Sequence, residues 1–202
     1  MKKMRIYIII SIFFILLGCE SEVEIEGEGF PYNQIHENFQ YTTFHYPEEW
    51  DVVSIQYEVR HRFQDWQDPE NHQYDEVPYR YTLLFGKRAT DNEITEEELD
   101  DYNDEQALAG GTHRQLYYHT YYDYYGKLDM SKNGFIRLLS AFDDVEEWEI
   151  NDETFLVLRE SNEWVVNWHR NGTYYDLMIL NEAGISDEEQ MTELLTMFFL
   201  QY

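Results

Sequence analysis

The last third of the chain alternates strand-like segments with turn residues: "EWEI", "ND", "ETFLVLRE", "SN", "EWVVNWHR", "NG", "TYYDLMIL". Apolar and polar side chains that alternate with a period of two belong on half-buried strands, and Asn-Asp and Asn-Gly suit two-residue hairpin turns. The pattern predicts an antiparallel β-meander, with Asn171-Gly172 as its best-defined turn. Trp164 and Trp168 fall on one strand face with Val166, which makes at least one of them core. Beyond the meander, Ser186 and Glu189 have capping-box spacing. Met191, Leu194, Leu195, Phe198 and Phe199 then recur at helical spacing, which predicts a helix closing over the sheet.

Upstream, "FQYTTFHY" predicts a strand from Phe39 to Tyr46 stopped by Pro47. "DVVSIQYEVRHRF" places Val53, Ile55, Tyr57 and Val59 on one strand face. The polar stretch from Asp65 to Pro78 predicts a surface loop before the strand "YRYTLLFGKR". Thr95 and Glu98 form a capping box for a helix that Gly110 and Gly111 end. "THRQLYYHTYYDYYGK" is strongly β-forming, with Gly126 read as its turn, and "GFIRLLSAF" suits a strand or a helix equally. The expected fold class is α+β: an antiparallel β-meander sheet with a C-terminal amphipathic helix packed on it and one further helix.

The N-terminus carries different information. Lys2, Lys3 and Arg5 precede an uncharged run from Ile6 to Gly18, too short to span a bilayer and of the size of a signal-peptide core. The run ends Leu16-Leu17-Gly18-Cys19, which resembles the lipobox of bacterial lipoproteins. The resemblance implies cleavage before Cys19 and a diacylglycerol on its thiol. Two acyl chains suffice for stable anchoring where one is marginal. Cys19 is the sole cysteine, so no intramolecular disulfide is available.

Residues 1–18 are therefore read as a signal peptide, 19–38 as an acidic tether rich in alternating Glu, and 39–202 as a single domain. Removing residues 1–18 takes away three basic side chains and no acidic ones. It leaves 11 Lys plus Arg against 41 Asp plus Glu, a formal charge of −30. Such a chain repels nucleic acid and favours basic partners. An aromatic content of 17% separates it from disordered acidic chains.

Trp168, Gly172 and Tyr175, followed by a capped helix, resemble the C-terminal part of an uncharacterised domain of Gram-positive envelope proteins, related in fold to lipoprotein carriers. "FHYPEEWDVV", with Phe198 in a terminal helix, resembles the Mog1/PsbP-like α/β/α sandwich. Both resemblances imply an antiparallel sheet with flanking helices, and neither brings a catalytic residue.

Tyr121, Tyr122, Tyr124 and Trp66 are the candidate ligand-binding residues, because aromatic side chains combine contact area with a polar handle. The competing reading makes the tyrosine strand half core and half solvated ladder. His113 and His119 sit six residues apart on one strand, too far to share a metal without a bend, and no zinc-type spacing occurs. Asp101, Asn103 and Glu105 begin an EF-hand-like pattern, but Gln106 stands where that loop needs Gly and Thr112 where it needs Glu. A solvated acidic helix face fits better.

No catalytic residue, metal site or cofactor is assigned. The expectation is a membrane-anchored extracytoplasmic lipoprotein, held at the cell membrane through Cys19. Its domain is read as a non-catalytic interaction or ligand-binding module for an envelope protein or a basic ligand. The rival classes are a carboxylate-dependent cell-wall hydrolase, which needs a cleft with two carboxyl groups about 5 to 10 Å apart, and a calcium-associated surface module.

Overall fold

In the computed structural model, the described residues are Ile35, 45–63 and 74–198. The strand expected at Phe39–Tyr46 falls mostly outside them, and its last two residues, His45 and Tyr46, are not in a strand. Among the described residues seven antiparallel strands form one sheet: β1 (Asp51–Phe63), β2 (Tyr74–Glu93), β3 (His113–Ser131), β4 (Glu146–Ile150), β5 (Glu153–Arg159), β6 (Glu163–Arg170) and β7 (Thr173–Leu180). Their order is β1-β2-β3-β7-β6-β5-β4, and β1 also pairs with β3. Besides the helical Ile35, two α-helices accompany the sheet among the described residues, α1 (Glu96–Leu108) and α2 (Glu188–Phe198). The fold is therefore α+β, with the meander of β4 to β7 in the predicted places. Among the described residues no helix is long and apolar enough to cross a membrane.

The meander turns follow local chemistry. Asn151 and Asp152 both take positive φ, as do Asn171 and Gly172, the pairing that two-residue hairpins of right-handed twist require. Trp164 and Trp168 are both buried. Trp168 stacks on its cross-strand neighbour Tyr175, with centroids 4.7 Å apart and planes 1° from parallel. Met191, Leu194, Leu195 and Phe198 of α2 lie in the same core, where Phe198 meets Phe85 edge-on at 5.9 Å. The cap of α2 is shifted by one residue from the expected Ser186–Glu189 box. Asp187 Oδ1 accepts from Gln190 N at 2.9 Å, and Gln190 Oε1 accepts from Ser186 N at 2.7 Å. Gln190 supplies the reciprocal bond that Glu189 was expected to make.

In β1, a bulge between Val52 and Ser54 sets Val53 out of register, so Val52 and Ile55 share the main core instead of the regular Val53–Ile55 alternation. Of the predicted 65–78 loop, residues 65–73 lie outside the described residues, and residues 74–78 are strand. β2 begins at Tyr74, and Pro78 sits inside it opposite Val59, at the second register shift of the pair. Val59 N donates to Thr112 O at 2.9 Å, and Pro78, which has no N–H to give to a ladder, sits at this irregularity.

Gly126 is not a turn. β3 runs through it for 19 residues and pairs with both β1 and β2. Tyr118 to His113 pair with β1, whereas the second half of the strand pairs with β2 and then β7. Glycine is needed there for close approach, since a Cβ on Gly126 would lie 2.1 Å from the Met178 carbonyl oxygen. A Cβ on Gly86 of β2 would lie 2.3 Å from that of Asp123.

α1 begins with the expected Thr95–Glu98 capping box and buries none of its residues. Asn103 fastens it to β3: its side-chain amide donates to Gln115 O at 2.8 Å and accepts from Gln115 N at 2.7 Å. Asp101, Asn103 and Glu105 therefore lie on a helix, not in a cation-binding loop. Ile35, within the stretch read as tether, is helical and fully buried in the main core.

Candidate functional site

One face of the sheet carries the main core, and among the described residues a segment after β3 lies against the other over β5 to β7. That segment, residues 132–145, contains the stretch 134–142 that suits a strand or a helix equally by sequence. It is an irregular strap with one 3-10 turn at Leu139–Ala141. Leu139 and Val145 of the strap form a small second core with Leu156, Leu158 and Val165 of the sheet.

The strap is held by polar residues inside apolar strands. Asp176 Oδ2 accepts from Ile136 N at 3.0 Å and Asp176 Oδ1 from Arg137 N at 3.2 Å, while Asn167 Oδ1 accepts from Leu139 N at 3.1 Å. Asn167 Nδ2 donates to Asp176 Oδ1 at 2.7 Å, joining the two holders. Arg137 pairs with Glu160 and, at 3.2 Å, with Glu163, and its guanidinium lies 5.1 Å from the centroid of the Phe142 ring. Phe135 meets Tyr174 edge-on.

Directly opposite Asp176 in the β3–β7 register stands Asp129. Both are buried, and a cross-strand pair of this kind brings Cβ atoms within about 5 Å. Burial raises the Asp176 pKa and the Asp129 charge raises it further, against the opposing bonds from Ile136, Arg137 and Asn167. Asp129 is neutralised by Lys127 Nζ at 2.7 Å and accepts from Thr82 Oγ1 at 2.5 Å. Every carboxylate oxygen of the pair is engaged by a donor of this chain, which leaves neither group free for the acid-base work of glycoside hydrolysis. Neither aspartate was singled out from the sequence. The legible sign was a charged residue inside an otherwise apolar strand, "KLDMS" and "YYDLMIL", where burial of a carboxylate demands partners.

With its inner side fixed in this way, the strap turns apolar groups outward: Ile136 is 42% exposed, Leu138 56% and Phe142 45%. Of the candidate tyrosines, the structure brings Tyr121 and Tyr124 together. Tyr121 and Tyr124 have ring centroids 6.3 Å apart, and Tyr122 is 69% exposed. The Tyr124 pKa is strongly raised, first by burial and then by the charges of Asp129, Tyr121 and Glu163. Trp66 and Cys19 lie outside the described residues.

A second polar cluster closes the far end of β1 and β2. Glu58 accepts from the Tyr79 hydroxyl and from Arg80 at 2.8 Å, with His113 Nε2 3.7 Å away. The buried Arg114 holds Glu76 through two nitrogens. His119 is elsewhere, buried, with Nδ1 2.7 Å from Thr120 O. The two histidines thus do not meet at one centre, and among the described residues no group of three or more His, Cys, Asp or Glu is placed to hold a metal ion. No family model, no curated protein and no solved structure matches the chain.

Proposed function

We propose that this protein is a lipid-anchored extracytoplasmic lipoprotein whose domain is a non-catalytic interaction module. The anchor is Cys19, and the contact surface is the outward side of the strap. The observation that carries the reading is the support given to an exposed apolar loop. A buried carboxylate, a buried amide and Arg137 are all committed to fixing the segment that exposes Ile136, Leu138 and Phe142. Exposed apolar groups on a braced support are a feature of binding surfaces. The tyrosines Tyr121, Tyr122 and Tyr124 form a subsidiary candidate contact. The hydrolase reading gains nothing from Asp129 and Asp176, whose oxygens are all engaged by donors of this chain.

The test is a photo-crosslinking residue at Leu138 in living cells, with the same residue at the exposed polar position Glu188 as control. A discrete adduct at Leu138 that is missing at Glu188 is expected. Equal or absent labelling at the two positions overturns the reading. The anchor is tested apart from it: Cys19→Ser should abolish lipid labelling and signal processing, and normal processing of that variant refutes the lipobox assignment.

A further inference from the structure

Among the described residues β4 is the terminal strand of the sheet, and its only strand partner there is β5. It follows the strap directly in the chain, and its orientation can be worked out from its hairpin. Asn151 and Asp152 make a two-residue turn with positive φ at both positions, so the closing pair Ile150 and Glu153 exchanges both backbone hydrogen bonds. Alternation along an antiparallel ladder then directs the N–H and C=O groups of Glu146, Trp148 and Ile150 toward β5. Those of Glu147 and Glu149 point away from the sheet. Among the described residues no backbone group meets them.

The side chains give this edge a distinct character on each face. Trp148 and Ile150 are half-buried at the rim of the main core, Trp148 lying 6.0 Å from Trp164. Glu147 and Glu149 occupy the opposite face, exposed and without an ion pair among the described residues. From Asp143 to Leu158 there are seven carboxylates and no Lys or Arg. A short, charged edge strand resists pairing with a copy of itself, because like charges would stand opposite one another. The same charges favour a strand of opposite sign.

We infer that β4 is a docking edge for an extended basic peptide segment of a partner protein, one that alternates Lys or Arg with apolar residues. Its backbone would add to the sheet at Glu147 and Glu149. Its basic residues would face those two carboxylates, and its apolar residues would extend the rim formed by Trp148 and Ile150. The inference rests on the interaction-module reading and names a partner chemistry for it, at a surface other than the strap.

The experiment uses the full chain in detergent micelles and a fluorescein-labelled Lys-Val-Lys-Val-Lys-Val-Lys peptide, read by anisotropy at about 50 mM salt. The control is the same peptide N-methylated throughout, with charge kept and ladder bonding abolished. The expected result is binding at least about tenfold tighter than the control. Glu149→Pro, which removes an outward N–H and leaves the β5 ladder intact, should remove most of that difference, while Glu149→Gln should weaken binding by only about two- to threefold. Equal binding of the two peptides reduces the effect to diffuse charge and overturns the inference. So does absence of binding, or Glu149→Pro behaving as Glu149→Gln with an unchanged melting temperature. If the peptide fails while the Leu138 adduct persists in cells, the module reading stands and the β4 assignment alone falls.

Discussion

Asp129 and Asp176 face each other across the β3–β7 pairing, 47 residues apart in sequence and both nearly inaccessible to solvent. Two buried carboxylates side by side repel, and each is retained by a different device. A lysine charge neutralises Asp129, whereas Asp176 relies on the backbone amides of the strap and the side chain of Asn167.

The strap should therefore depend on Asp176. Asp176→Ala strands the N–H groups of Ile136 and Arg137 and part of the Asn167 amide, at an expected cost of about 2 to 3 kcal/mol, offset in part by relief of repulsion with Asp129. Urea unfolding measures the loss. Native-state hydrogen exchange should show Ile136 and Arg137 amides losing protection while β6 amides keep theirs. Uniform loss across the sheet contradicts a latch.

Acid should act on two groups in opposite senses. Burial alone would raise the Glu58 pKa, but the Tyr79 hydroxyl, Arg80 and His113 outweigh it and hold the value below its ordinary 4.5. A lowered folded pKa stabilises above the unfolded value, and that contribution fades as pH falls through the folded one. The advantage of the wild-type chain over Glu58→Gln should thus be constant down to about pH 5 and shrink below it. Asp176, raised above its ordinary 3.8, runs the other way: its contribution is full below that value and is lost as pH rises through the folded pKa. Melting temperatures from pH 7 to pH 3 for wild type, Glu58→Gln and Asp176→Asn separate the two.

Two glycines should respond differently to alanine. At Gly126 a Cβ meets β7 backbone at 2.1 Å, so the strands must part and about 3 kcal/mol or more should be lost. At Gly172 the new methyl meets nothing within 4 Å, and only the left-handed backbone, φ +72°, is penalised, by about 1 to 2 kcal/mol. Denaturant midpoints decide. Equal losses contradict the close-approach role of Gly126.

The Trp168–Tyr175 stack lies in the centre of the main core. Trp168→Ala should cost about 3 to 5 kcal/mol, and Trp168→Phe appreciably less, since a ring remains to pack on Tyr175. A Phe variant as unstable as the Ala variant contradicts a stacking contribution.

By itself the sequence determined what short-range physics controls. The strands β4 to β7 alternate with a period of two around two-residue turns whose chemistry is local, the Thr95–Glu98 box starts α1 within one turn, and the Met191–Phe198 stripe marks a helix face. Only the tertiary structure decided the pairing of β3 with both β1 and β2, the bulge at Val53, and the reason for glycine at 126. Each depends on the register of strands far apart in the chain, and a shift of one residue reverses every side chain's face. The same holds for the surface. Isolated apolar residues such as Ile136, Leu138 and Phe142 read equally well as core or exposed, until Asp176 and Asn167, brought from β7 and β6, fix which side of the strap faces inward.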